Sequence, residues 1–102
     1  MVPDADLQVW LDAQVMAGEM VVVPYVKSVA DMQINYRMDV IQEGAAGTSR
    51  IRQQGRVSAR AKKPASLARV MLGVQSGAEC SIEIALREGQ KQVGVYRFEC
   101  PR

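Results

Sequence analysis

The patterning of apolar residues predicts an all-β sandwich. Three observations carry that expectation. Apolar residues recur at every second position in several separate segments, the signature of strands with one face on a core and the other in water. Gly, Pro and other turn formers separate those segments at short intervals, and helical periodicity is weak throughout. The chain has 102 residues, 48% of them apolar, which suits one domain with one core and is too apolar for a disordered chain.

Taken in order, Val9-Trp10-Leu11 and Met20-Val21-Val22-Val23 read as two strands joined near Ala17-Gly18. Leu7, Trp10, Leu11 and Gln14 also fall at helical spacing, so a short helix over residues 3–15 is the competing reading. Pro24 points to an edge or a bulge in the second strand, because proline donates no ladder hydrogen bond. Over residues 32–40 the even positions are apolar and the odd ones polar. A turn at Gly44-Ala45-Ala46-Gly47 leads into a long polar strand, or pair of strands, that ends before Lys63-Pro64. Alternation resumes at Ala68, Val70, Leu72 and Val74, and again at Cys80, Ile82, Ile84 and Leu86 opposite Ser81, Glu83 and Arg87. Glu88-Gly89-Gln90-Lys91 is a hairpin turn, with residues 92–98 returning. The total is about seven antiparallel strands at the spacing of an immunoglobulin-like sandwich. Residues 1–102 form a single domain in this reading, with residues 1–6 outside its ordered part, and the chain is expected to be a monomer.

The longest apolar run, residues 20–26, is interrupted by Pro24 and followed by Lys27. It falls far short of the roughly 18 to 20 residues that cross a bilayer, so no membrane insertion is expected. Met1-Val2-Pro3-Asp4 is acidic and does not read as a signal peptide. A cleaved signal replaced by a starting Met would leave the same sequence.

Cys80 and Cys100 flank the hairpin centred on Gly89-Gln90. An antiparallel return places them opposite each other or one residue out of register. Directly opposed, non-hydrogen-bonded positions have Cα atoms about 4.5 Å apart, within reach of a disulfide. Closing a loop of this length stabilises a fold by about 3 kcal/mol in the chain-entropy model. The other reading is a pair of buried thiols in a reducing compartment. Two cysteines without a histidine do not complete a zinc site unless carboxylates help, so no metal is expected. A disulfide implies an oxidising compartment such as a periplasm.

Catalysis is not expected. The chain has no histidine, which removes the commonest general base and the usual Ser-His and Cys-His pairings. Gly44-Ala45-Ala46-Gly47 lacks the Gly-Lys-Ser/Thr ending of a phosphate loop. The acids are scattered along strands. No catalytic residue and no cofactor is assigned.

Charge is the most informative feature. The formal net charge is only +2, but residues 1–36 carry an excess of four acids and residues 37–69 an excess of six bases. Between Gly44 and Arg69 there are seven bases and no acid. In residues 49–60 the even positions read Arg50, Arg52, Gln54, Arg56, Ser58 and Arg60, and the odd ones include Ile51, Val57 and Ala59. An extended backbone points these arginines to one side, about 7 Å apart for neighbours two residues apart, unless Gly55 inserts a bulge. Lys62 and Lys63 extend the charge into the next turn, and Arg37 and Arg69 take outward positions on neighbouring strands. Cations also blunt sheet edges against aggregation, so a solvated outer face is the plain alternative. An uncompensated row of like charges, however, repels itself where mixed signs would solubilise as well, and arginine offers planar multi-donor contacts to carboxylates, phosphates and amides. The candidate binding residues are therefore Arg50, Arg52, Gln54, Arg56 and Arg60, with Lys62 and Lys63 next. Tyr36 is expected to point inward and no aromatic ladder accompanies the strip, which argues against stacking on nucleic acid. The pI of about 8.7 is modest for such a partner.

Several stretches resemble the curli assembly inhibitors, the CsgC/CsgH-type periplasmic chaperones, with the CsgH branch the nearer. They are Val21-Val22-Val23-Pro24-Tyr25-Val26, then residues 37–49 from Arg37-Met38-Asp39-Val40 through Glu43-Gly44 to Gly47-Thr48-Ser49, then Gln53-Gln54-Gly55, and later Leu67-Ala68-Arg69-Val70-Met71-Leu72-Gly73-Val74 with the final strand pair. The resemblance runs from Trp10 to Pro101. It implies an immunoglobulin-like sandwich in the periplasm of a Gram-negative bacterium. It also implies a chaperone-like role that keeps the unfolded curli major amyloid subunit, and the minor subunit as a second client, from nucleating fibres, with no ATP or metal. The CsgC-type protein carries a Cys-X-Cys motif; the matching positions here are Ile34-Asn35-Tyr36, so a redox role drawn from that motif does not transfer. Contacts through exposed arginines would be weak, salt-screened and transient. Two other classes compete: an immunoglobulin-like envelope or adhesion module that binds an anionic polymer or protein partner, and a redox protein using Cys80 and Cys100.

Overall fold

A computed structural model describes residues 7–45, 47–73 and 77–100. The described residues contain eight strands and no helix: β1 (Leu7–Met16), β2 (Glu19–Ser28), β3 (Met32–Gly44), β4 (Gly47–Ala59), β5 (Ala65–Ser66), β6 (Val70–Gly73), β7 (Glu79–Glu88) and β8 (Lys91–Glu99). Two antiparallel sheets form an immunoglobulin-like β-sandwich. In the first, β2 lies between β1 on one side and β5 and β6 on the other. In the second the order is β4-β3-β7-β8. The expected seven strands become eight because the two-residue β5 precedes β6. The polar segment forms one continuous strand rather than a pair. Residues 1–6 and Val74 lie outside the described residues.

The core is what the alternation requires. Val22 and Val26 of β2, Ile34, Met38 and Val40 of β3, and Ile82, Ile84 and Leu86 of β7 are at most 1% exposed. Apolar burial contributes about 25 cal/mol per Å², so the two central strands β3 and β7 carry the densest share. The segment that also matched a helix is β1: Leu7, Val9, Leu11 and Ala13 pack on the core while Gln8, Asp12 and Gln14 face water.

Pro24 is neither at an edge nor in a bulge. β2 is a central strand, and its pairing with β6 ends at Val22 while its pairing with β5 begins at Tyr25. Pro24 falls in the gap between those partners, where no ladder donor is required. Its carbonyl accepts a bond from the Leu67 N–H at 2.9 Å.

Gly55 does not bulge either. The β3–β4 register runs unbroken from Met32↔Ala59 to Gly44↔Gly47. Gly55 is paired with Tyr36, whose inward ring lies across it: a Cβ at position 55 would sit 2.6 Å from the Tyr36 Oη and 2.8 Å from Cζ. The aromatic ring covers backbone that glycine leaves bare. Gly55→Ala is therefore expected to destabilise the domain by about 1–3 kcal/mol through overpacking, read as a lower urea midpoint. In a Tyr36→Ala background the same change should cost little.

The hairpin turn falls where expected, with Glu88 paired to Lys91. A bulge lies between Leu86↔Gly94 and Arg87↔Gln92, leaving Val93 unpaired and buried. The disulfide joins Cys80 and Cys100 with Cα atoms 5.3 Å apart. The Cys100 N–H donates to the Cys80 carbonyl at 3.1 Å, so the two are directly opposed at a hydrogen-bonded position, not the non-hydrogen-bonded one the sequence suggested.

Candidate functional site

The outer face of the β4-β3-β7-β8 sheet collects most of the candidate side chains. The β3–β4 and β3–β7 registers are unbroken and the β7–β8 register shifts once, at the bulge after Leu86, so each row across the sheet follows from the pairing. One row is Arg56, Asn35, Arg87 and Gln92. The next is Gln54, Arg37, Ala85 and Val95. The third is Arg52, Asp39, Glu83 and Arg97, and the fourth is Arg50, Ile41, Ser81 and Glu99.

The third row neutralises itself. Asp39 is 9% exposed and accepts from the Arg52 Nε at 2.6 Å, while the Arg37 Nε lies 3.4 Å from its other oxygen. Glu83 pairs with the Arg97 Nε at 2.9 Å. The hydrogen bond Arg52 donates to Asp39, and then the Asp39 charge, raise the Arg52 guanidinium above the ordinary arginine pKa. The expectation of an uncompensated arginine row is thus corrected at Arg52, whose charge is taken up within the sheet.

The first row differs. Arg56 donates to the neutral Asn35 Oδ1 at 3.3 Å and Arg87 to the Gln90 carbonyl at 3.3 Å. Neither meets a carboxylate among the described residues. An open depression of about 850 Å³ spans this end of the face, lined by Arg37, Arg56 and Arg87 with Asn35, Gln54 and Gln92, and by Tyr36, Gly55 and Ala85. At the opposite end, Glu43, Glu79 and Glu99 line a smaller depression. The face is therefore electrically polar along its strands, a layout that orients a charged partner.

The remaining candidates are placed unevenly. Arg50, Gln54 and Arg56 are exposed on β4, and Arg50 lies opposite Ile41 with no acidic partner among the described residues. Arg60, Lys62 and Lys63 follow β4 in the turn toward β5. That turn is fixed by the Lys62 N–H bond to the Ser28 carbonyl at 2.6 Å, with Lys62 at a φ of 63°, and by the Asp31 carboxylate accepting from the Ala61 N–H at 2.7 Å. Arg60 lines a depression with Gln33 and Ser58, the row beyond Arg56 at that end of the face, while Lys62 and Lys63 lie farther along the turn. Arg37 is outward as expected. Arg69 is not its neighbour: it precedes β6, in the other sheet.

Asn35, Arg87 and Gln92 were missed. Alternation along β3 and β7 already marked Asn35 and Arg87 as outward, but strand order puts them beside Arg56, and a single sequence does not disclose strand order. A second omission is an aromatic pair. Trp10 and Tyr25 stack on the outer face of the other sheet, with centroids 5.7 Å apart and planes at 13°. They stand away from the arginine face and add no base-stacking platform to it.

Comparison with known proteins bears on this arrangement. The sequence profile of the CsgH protein family matches residues 8–96. The chain belongs to the CsgH family. The solution structure of R. palustris CsgH superposes with a TM-score of 0.74 at 26% identity, covering 91% of each chain. The E. coli curli protein CsgC superposes with a TM-score of 0.76 at 18% identity, covering 94% of this chain and 99% of that one; at that identity the likeness speaks to the fold. No curated protein matches the sequence. The CsgH fold thus carries here a disulfide, which fits an oxidising compartment, and a polarised outer face.

Proposed function

We propose that this CsgH-family chain is a periplasmic, chaperone-like inhibitor of curli amyloid nucleation, acting as a monomer and without catalysis or a cofactor. The observation that carries the reading is the basic end of the β4-β3-β7-β8 face, where guanidinium groups without acidic partners stand among side-chain amides on an open sheet. An unfolded, Gln/Asn- and Gly-rich amyloid subunit presents acidic and amide side chains to such a surface. Long-range attraction speeds encounter, and the exposed contacts that follow are individually weak and salt-screened. Contact is then brief, which suits action on nuclei before strands stack into cross-β. The client is the unfolded curli major subunit, with the minor subunit second.

The test is thioflavin-monitored fibre formation by purified major subunit with sub-stoichiometric CsgH-family protein. A variant with Arg50, Arg56 and Arg60 changed to Glu runs alongside, Arg52 being kept because it holds Asp39. The wild type should lengthen the lag. Steering by a charged surface changes association about 10-fold or more, so the folded variant should need at least about tenfold more protein for the same lag. A lag preserved in the variant would move the site off these three arginines. No lag from the folded wild type would reject the inhibitor reading in favour of an envelope or adhesion module for anionic polymers, to be checked by heparin and DNA shift assays at physiological salt.

A further inference from the structure

We infer that the basic end of this face holds one defined carboxylate subsite, with Arg56 and Arg87 as its two arms on either side of Asn35. The inference rests on the client-binding reading above and narrows it, from a strand of arginines to a cross-strand pair that includes a β7 residue. Arg56 on β4 and Arg87 on β7 are both paired in register with Asn35 on β3, so their Cα atoms are two strand spacings, about 10 Å, apart. Both side chains are exposed and donate only to neutral oxygens. In the third row the β7 position is the acidic Glu83, and the two guanidinium groups, Arg52 on β4 and Arg97 on β8, are already engaged by Asp39 and Glu83. One row can therefore take an external anion and the other cannot without breaking its own pairs.

The amides identify the anion's class. Gln54 and Gln92 border the same depression and make no side-chain hydrogen bond among the described residues. Each offers both donors and an acceptor. A polypeptide supplies carboxylates for the arginines together with N–H groups for the glutamine carbonyls. A phosphodiester backbone supplies acceptors alone, so it can meet the glutamine N–H groups but offers nothing to their exposed carbonyl oxygens, which keep water instead. The subsite therefore takes an Asp or Glu side chain of an extended segment whose neighbouring amide or backbone groups meet Gln54 and Gln92. Arg37, one row below, is shared with Asp39 and supports the anion at longer range.

The experiment is an NMR titration of the isotope-labelled full chain. The probes are a short Gln/Asn/Gly peptide carrying one Glu, its twin with Gln in that place, and a short single-stranded oligonucleotide. The Glu peptide should shift the amides of Asn35, Arg56, Arg87 and Gln92, and the twin should bind about three- to fivefold more weakly, the scale of one exposed charge contact. Arg87→Gln and Arg56→Gln should each weaken the Glu peptide by a similar factor, while Arg97→Gln should not. Equal binding of the two peptides, an effect of Arg97→Gln as large as that of Arg87→Gln, stronger binding of the oligonucleotide, or no shifts at millimolar peptide would each overturn the subsite. The two readings fail separately. A wild type that delays fibres while the peptide pattern fails loses the subsite alone. One that captures the Glu peptide at this row yet leaves fibre growth untouched keeps the subsite and loses the inhibitor role.

Discussion

Reduction of the Cys80–Cys100 disulfide is expected to lower the thermal midpoint by roughly 10–25 °C. The bond closes a loop with a sequence separation of 20, for which the chain-entropy model gives about 3 kcal/mol. In a domain of this size each 1 kcal/mol moves the midpoint by about 4–8 °C. The effect is placed on the unfolded chain, because the hairpin register already opposes the two residues in the fold: Ser81 pairs with Glu99, and the Cys100 N–H reaches the Cys80 carbonyl. A paired Cys80→Ala, Cys100→Ala variant should therefore keep the native spectrum while melting earlier. Calorimetry of the oxidised, reduced and double-alanine forms measures this. A reduced protein that melts within a few degrees of the oxidised one would show that the unfolded chain is already constrained there.

The second large effect is at Ile84. Its side chain is fully buried at the middle of β7, between Met38 on β3 and Tyr96 on β8. Ile84→Ala removes apolar atoms from a site walled by two neighbouring strands and the facing sheet, where collapse into the gap is limited. About 2–5 kcal/mol is expected, seen as a lower denaturant midpoint with an unchanged slope. Ile84→Val should cost about 0.5–1.5 kcal/mol. Val95→Ala, on the outer face and 44% exposed, should stay within about 0.5 kcal/mol. Ile84 stands back to back with the proposed binding face, since Glu83, Ala85 and Arg87 of the same strand face outward. Since Cys80 is four residues, about 13 Å, away along the strand, the Ile84→Ala and reduction effects should add. Their sum approaches the whole stability of an ordinary domain.

Which parts of this protein were legible in one dimension follows from the range of the interactions involved. Alternation along residues 32–40 and 80–86 identified the faces of β3 and β7 and the core residues Ile34, Met38, Ile82, Ile84 and Leu86 correctly, because the two-residue period of a strand is local. The pairing of Cys80 with Cys100 was legible for the same reason, being set by a short hairpin between them. Pro24 was misread: whether a missing N–H matters depends on which strand stands opposite, and there the partner passes from β6 to β5. Gly55 was misread because the ring that covers it, Tyr36, lies 19 residues earlier in the chain.

The same distinction divides the candidate site. Local alternation was enough to turn Arg50, Arg52, Gln54 and Arg56 toward one side of β4. It could not tell that Arg52 is neutralised by Asp39 across the β3–β4 ladder, that Lys62 and Lys63 fall in the turn beyond β4, or that Arg87 and Gln92 complete the row begun by Arg56 and Asn35. The direction a side chain takes from its strand is fixed by backbone geometry over two residues. The charge it meets there is fixed by strand order and register, which arise from burying one common core and so bring together residues tens of positions apart.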